Sequence, residues 1–326
     1  MPSSMLVVWQ TDLPIQGEVA YGPPGAVDLL QAESSESTDH TVLLPDLSPS
    51  TLYRYQVVSQ GWPMSSEATF RTAPAPYASP FSFVVVGDTR SGHETHAAMI
   101  EAILPLAPDF VLHVGDLVSH GSRPEYWTTF FDIEQPLLAT APIYPTLGNH
   151  EEVSPLYFDY FFLPGNERWY TFVYGNARFI SLEVDGAADY GPGSEQYAFL
   201  ETALATSDQT WQIVYFHFPP YSGTGEEPGE VDVRRALTPL FVSRGVDLVF
   251  SGHHHNYQRY LVDGISYVVT GGGGAELYPI TQPDEDLVTW AEEHHFVSVT
   301  ISGATLSATV LTPWGEMLDQ FTLRPR

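Results

Sequence analysis

The chain of 326 residues contains no cysteine, which excludes disulfides and cysteine-based metal or redox sites. Lysine is absent too: all 12 basic residues are arginine, against 40 acidic ones, for a formal net charge of −28. A surface this acidic argues against binding nucleic acid through a basic groove. It also repels anionic substrates until salt screens the field over about 8–10 Å. An anionic substrate therefore needs a strong local positive centre, which metal ions can supply. No apolar run reaches the roughly eighteen residues of a membrane span. The opening stretch "MPSSMLVVWQTD" lacks the basic region and apolar core of a secretory signal.

What is present is a chain that is 43% hydrophobic, enough for a large core in one large domain or two. Over residues 1–76, short β-branched and aromatic runs alternate with turn clusters: "SMLVVWQTD", "GEVAYG", "HTVLLPDLSPSTLYRYQVVS" and "EATFRTAP". This pattern predicts a small all-β sandwich. The Pro-rich "TAPAPYASP" then marks a seam. Over 80–326 the pattern changes. Strands are expected at "FSFVVVGD", "DFVLHVGD", "PIYPTLGNHE", "WQIVYFHF" and "VDLVFSGHHH". Helices are expected at "HETHAAMIEAIL", "PEYWTTFFDIEQPLL", "SEQYAFLETALA" and "DVRRALTPLFVSRG". Such alternation implies a layered α/β domain. Strands return at the end, and "GGGG" at 271–274 predicts a place where backbone passes closely.

Several of these strands end in the same kind of residue. Asp88 follows "VVVG", Asp116 follows "LHVG", Asn149 and His150 follow "PTLG", His217 closes "IVYFH", and His253 and His255 follow "VFSG". Taken singly, a Gly-Asp is a turn and a strand-end histidine is a core residue. In an α/β sheet, however, the carboxyl ends of strands gather on one rim, where ligands bind. The full set predicts a dinuclear metal site. Were "GHHH" extended, His253 and His255 would project together and His254 away, placing one ligand on each metal. Imidazole, carboxylate and amide donors suit Zn, Mn, Fe or Ni.

In order, "GDTR", "GDLV", "GNHE", "VYFH" and "GHHH" resemble the blocks of the calcineurin-like metallophosphoesterases, and most of all the purple acid phosphatase-like branch. "LVVWQTD", "LSPSTLYRYQV" and "TFRTAP" resemble the fibronectin-III-like N-terminal domain of that branch, less its usual first strand. The resemblance implies a four-layer αββα sandwich that hydrolyses phosphate esters with two divalent or trivalent metal ions, Fe, Zn or Mn. It implies Asp116 as bridge, Asp88 and His255 on the first metal, and Asn149, His217 and His253 on the second. His150 would sit beside the substrate phosphate. A secreted, extracellular location is implied as well.

Two positions depart from the family pattern. Where the purple branch has an iron-ligating tyrosine, this chain has Ser119. Where other branches have a ligating histidine, it has Arg90. Water, His93 or His120 would fill the vacant ligand position, and no purple colour is expected. Arg90 is either a phosphate grip or an ordinary turn arginine. The expected reaction is hydrolysis of a small phosphate monoester, with metal-bound hydroxide attacking phosphorus in line. His150 is the first choice of proton donor to the leaving alcohol, with His254 and His120 behind it. Tyr221, in "PPYSGTGEEPGEVD", either contacts the ester or packs. Glu226, Glu227 and Glu230 in the same loop would disfavour highly anionic substrates. The alternatives are a phosphodiesterase using the same site and a non-catalytic metal-binding or adhesion module.

Overall fold

The computed structural model describes residues 1–225 and 228–326. The N-terminal part is all-β. Strands β1 (Met5–Gly22) and β2 (Leu29–Leu44) form a long antiparallel hairpin. Strands β3 (Leu52–Ser59), β4 (Trp62–Pro63) and β5 (Ala68–Arg71) complete a five-stranded sheet. The two expected strands "SMLVVWQTD" and "GEVAYG" are one strand with a break. Pairing stops at Gln10↔Asp39 and resumes at Ile15↔Ser37. Pro14 lies inside the break and has no N–H to give a ladder. The ends of the hairpin then share one core: Val7, Val42 and Leu44 pack with Val19, Tyr21, Tyr53, Val57 and Phe70. The first half of β2 is polar and shows no alternation. Its Glu33 accepts the amides of Thr41 at 2.8 Å and Gly17 at 3.2 Å, a support that periodicity cannot reveal.

The remainder alternates as the pattern predicts. In order come β6 (Phe81–Val86), α1 (His93–Ile103), β7 (Phe110–His113), α2 (Pro124–Leu138), β8 (Ile143–Pro145) and α3 (Pro155–Tyr160). A hairpin follows, β9 (Tyr170–Tyr174) and β10 (Ala177–Ser181), then α4 (Glu195–Ala205), β11 (Trp211–Tyr215), α5 (Pro228–Arg244) and β12 (Leu248–Ser251). The chain closes with β13 (Tyr257–Val262), β14 (Ile265–Thr270), β15 (Leu287–Ala291), β16 (Phe296–Ser302), β17 (Thr305–Leu311) and β18 (Met317–Leu323). The pattern does not foreshadow α3, the β9–β10 hairpin, β13 or β15.

These strands build two sheets. One runs β18-β17-β16-β6-β7-β8 and the other β15-β13-β14-β12-β11-β10-β9. Strands β6, β7 and β8 are parallel, as are β10, β11, β12 and β14. Alternation along β6 explains the layering. Phe83 and Val85 join a core shared with Phe179, Ile213 and Phe250 of the facing sheet. Val84 and Val86 instead meet Met99, Ile100 and Leu137 of α1 and α2. On the far side, Val214 and Val249 pack against Leu200 of α4 and Phe241 of α5. The result is helix, sheet, sheet, helix. Each fully buried Phe or Ile contributes about 1.5–3 kcal/mol. The N-terminal domain touches this body through Tyr55, whose hydroxyl donates to the Ala139 carbonyl at 2.9 Å.

Candidate metal centre

The carboxyl ends of the parallel strands of both sheets meet at one edge of the sandwich. The six-stranded sheet delivers Asp88 after β6, Asp116 after β7, and Asn149 and His150 after β8. The seven-stranded sheet delivers His217 after β11, and His253 and His255 after β12. The rim is therefore a junction of two facing sheets rather than the edge of a single open one.

Three of these residues share an uncommon backbone state. Asp88, Asp116 and His253 each follow a glycine and each has positive φ, at 60°, 57° and 67°. Left-handed non-glycine residues cost energy and cluster where structure serves function. At His253 this state overturns the expectation of an extended triplet. The chain turns instead, with His254 N–H donating to Gly252 O and Asn256 N–H donating to His254 O, both at 2.8 Å. Alternation therefore does not explain why the three imidazoles diverge. Gly148 lets two loops close: a Cβ there would lie 2.4 Å from Asp116 Oδ1. The tetraglycine stretch passes closely as expected, since a Cβ at Gly271 would lie 2.8 Å from Asp88 Oδ2.

Ligand-type atoms of Asp88, Asp116 and His255 lie within 4.8 Å of one another, and all three residues are buried. His255 donates Nδ1–H to Glu276 O at 2.6 Å, which turns Nε2 toward Asp88 Oδ1 at 3.4 Å. That Asp88 oxygen is buried and accepts no hydrogen bond. On the other side, His217 donates Nδ1–H to Val114 O at 2.8 Å. Its Nε2 faces Asn149 Oδ1 at 3.2 Å and Asp116 Oδ1 at 3.3 Å. An imidazole whose second nitrogen is fixed on a carbonyl is the usual preparation of a metal ligand. Here two rings are so prepared, and each faces oxygen acceptors. His253 donates its amide to Asp88 Oδ2 at 3.0 Å, and its ring lies 5.2 Å from that of His217.

The electrostatics agree with a cation seat. Burial would raise the Asp116 carboxyl, but the His217 charge and hydrogen bond hold it well below the usual range. Burial opposes a proton on His217, yet Asp116 and Asp88 raise its pKa to about 10. The paired carboxylates thus draw positive charge into the gap between His217, Asn149 and Asp116. Burial and the neighbouring His217 push His253 down to about 2. The donor set of two carboxylates, an amide oxygen and three imidazoles fits Fe, Zn or Mn.

The other expected residues fall around this core. His150 donates Nδ1–H to Ser119 O at 2.8 Å and its amide to Asp116 Oδ1 at 3.0 Å; its Nε2 lies 3.8 Å from Asp116 Oδ2. Arg90 Nε lies 3.5 Å from the same oxygen. His120 is exposed and rests on Glu152 at 3.2 Å, its ring 6.4 Å from that of His150. His93 is the exposed first residue of α1, outside the Asp88–Asp116–His255 cluster.

Two expectations, for His254 and Glu230, need correction, and the alternatives for Tyr221 are resolved. His254 is buried and its Nε2 engages the Glu230 carboxylate, which removes that nitrogen from acid duty. Glu230 is itself buried on α5 rather than a charge facing substrate. Tyr221 packs between Tyr260 and Tyr267 with Arg234 over its ring, which is the packing alternative. Glu226 and Glu227 lie outside the described residues.

Glu151 is a site residue that the sequence motifs did not single out. Fully buried, it accepts four amides: Gly148 at 2.7 Å, Asp116 at 2.8 Å, Leu117 at 2.9 Å and Val118 at 3.3 Å. Burial and the Asp116 charge push its pKa up to about 8, against the pull of the amides. The signal was the acid that ends "GNHE", in a loop whose backbone N–H groups need acceptors.

Comparison with known proteins decides the family. A family model described as calcineurin-like phosphoesterase matches residues 81–257, and one described as purple acid phosphatase, N-terminal domain, matches residues 1–72. The chain belongs to the calcineurin-like phosphoesterases. It is 31% identical over 294 residues to "Probable purple acid phosphatase 20" of Arabidopsis thaliana, covering 79% of this chain and 66% of that protein. It is 27% identical over 308 residues to "Probable inactive purple acid phosphatase 1" of the same plant, covering 73% of this chain and 49% of that one. The chain thus spans about half to two thirds of the length of these relatives. The solved structure of purple acid phosphatase PPD1 from yellow lupin (Lupinus luteus) seeds superposes with a TM-score of 0.87 at 22% identity. The match covers 99% of this chain and 72% of that one, a likeness of fold. This calcineurin-like phosphoesterase carries Arg90 and Ser119 in the loops that hold Asp88 and Asp116. Among its described residues no helix is long and apolar enough to cross a membrane.

Proposed function

We propose that this phosphoesterase hydrolyses small phosphate monoesters with two metal ions held where the two sheets meet. One observation carries the reading: buried His217 and His255 each commit Nδ1 to a backbone carbonyl and turn Nε2 onto a carboxylate that belongs to another strand. In this reading Asp116 would serve both ions, Asp88 and His255 would hold the first, and Asn149, His217 and His253 would hold the second. Bound there, two cations neutralise charge on phosphoryl oxygens and lower the pKa of water. The protein's own residues do the rest. Glu151 fixes the Asp116 loop through its amide. His150, oriented by Ser119 O, presents Nε2 to protonate the leaving alcohol. His120 stands behind it as a more exposed donor. Iron, zinc or manganese fits the donors, and the family resemblance favours a secreted location.

A second reading, a metal-binding module without turnover, draws on Ser119 in place of a ligating tyrosine and on relatives that carry "inactive" in their names. Metal content per chain by elemental mass spectrometry, with rates on a monoester and a diester, separates the readings. Two metals and faster monoester turnover are expected. Faster diester turnover would make the chain a phosphodiesterase. One metal or none, with no turnover, would leave the module.

A further inference from the structure

Arg90 is placed unlike five other arginines that pair with acids among the described residues. Arg54, Arg123, Arg168, Arg235 and Arg259 each face a carboxylate away from the metal centre. Arg90 instead directs Nε to Asp116 Oδ2 at 3.5 Å, and that nitrogen is buried without a hydrogen bond. Ser119 holds it there: the Ser119 hydroxyl donates to the Arg90 carbonyl at 2.6 Å. The Ser119 carbonyl accepts His150 Nδ1–H at 2.8 Å. One residue thus anchors both groups that converge on Asp116 Oδ2. The opposite Asp116 oxygen is taken by His217 Nε2 and the His150 amide.

We propose that Arg90, set by Ser119, is the specificity-determining cation of this centre: its guanidinium binds a terminal phosphoryl oxygen and favours dianionic monoesters over monoanionic diesters. The inference deepens the monoesterase reading and rests on it. A monoester offers three terminal oxygens and two negative charges, a diester two oxygens and one charge. A planar guanidinium always carries its charge and matches paired phosphoryl oxygens with parallel N–H groups. With Asp116 engaged by the ions it would hold, its grip on Arg90 would weaken and those N–H groups would be free for an incoming anion. In a chain with no lysine and a net charge of −28, one fixed cation at the site changes the balance for an anionic ligand.

The test compares wild type with Arg90→Met, Arg90→Lys and Ser119→Ala, measuring metal content in each. The probes are 4-nitrophenyl phosphate, bis(4-nitrophenyl) phosphate and, by calorimetry on metal-loaded protein, inorganic phosphate. A charge-assisted hydrogen bond is worth a factor of roughly 10 to 150. Arg90→Met is expected to lower monoester kcat/KM by about thirtyfold or more and diester kcat/KM by less than about threefold. Phosphate affinity should fall about tenfold with metal content unchanged. Arg90→Lys should fall between, and Ser119→Ala should move the same way by less. Equal losses on both esters, unchanged phosphate affinity, or loss of metal in Arg90→Met would each overturn the proposal. If wild type hydrolyses neither ester, the monoesterase reading fails. Phosphate binding then decides alone: weaker binding in Arg90→Met upholds the anion role, and equal binding ends it.

Discussion

Glu151 and Asp116 close a circuit between two loops. The Glu151 carboxylate accepts the Asp116 amide at 2.8 Å, and the Asp116 carboxylate accepts the His150 amide at 3.0 Å. The loop after β7 and the loop after β8 thus hold each other through acids that point in opposite senses along the circuit. Glu151→Gln puts an amide NH2 against backbone N–H donors that have no other acceptor. Stranding buried donors costs about 1–3 kcal/mol. The variant should melt several degrees lower and carry less metal, because Asp116 would lose the hold on its left-handed conformation. Thermal unfolding and elemental analysis together check this; unchanged values in both would show that Glu151 is dispensable.

Asp116→Asn tests the bridge. The substitution keeps the shape but removes the charge that faces His217, His150 and Arg90. Hydrolysis should fall below detection, and metal content should drop by at least half. Circular dichroism should still report the native sheets, since the side chain lies outside the cores. An active Asp116→Asn enzyme would remove the dinuclear mechanism.

His254 separates ligation from support. Its ring lies between His253 and His255 in sequence, yet its Nε2 is spent on Glu230 of α5. His254→Ala should leave metal content unchanged. It should nonetheless destabilise the protein by about 3 kcal/mol, because it removes one half of a buried His–Glu pair. Urea midpoints give the stability and elemental analysis gives the metal. Loss of a metal would make His254 a ligand.

Much of the centre can be read from the chain because each strand-end residue follows a continuous buried run. Asp88, Asp116, Asn149, His217 and His253 all stand just past a strand or its short extension, and parallel order carries them to one edge. What could not be read depends on tertiary pairing. His253 turns left-handed instead of continuing an extended run, for a long-range hydrogen bond to Asp88 that no local rule announces. Glu230 looks like a loop acid but is buried, because His254 waits opposite. The polar half of β2 shows no alternation, because Glu33, reaching the Thr41 and Gly17 amides, supports it in place of a buried face. The facing of two sheets is implied by family resemblance and not by periodicity, since a run buried on both sides looks alike in one sheet or two.

His295 predicts acid lability. Its ring is fully buried against Tyr257, with Nδ1 donating to the Glu293 carbonyl at 2.9 Å and Nε2 without a partner. Burial pushes its pKa down to about 4 from an ordinary 6.5. Between those values the unfolded chain binds the proton and the folded chain does not, so stability falls as pH falls. The contribution is complete above pH 6.5, is lost through about pH 4, and amounts to about 3 kcal/mol. His113 is pushed the same way, by burial first and then by His96, and steepens the limb. His295→Phe cannot take the proton. Urea midpoints of wild type and variant, under saturating metal at a series of pH values from neutral to about 4.5, should diverge, the variant losing less stability as pH drops. Parallel curves would mean that His295 keeps the same proton affinity in the folded and unfolded chain, and that the acid limb belongs to other groups.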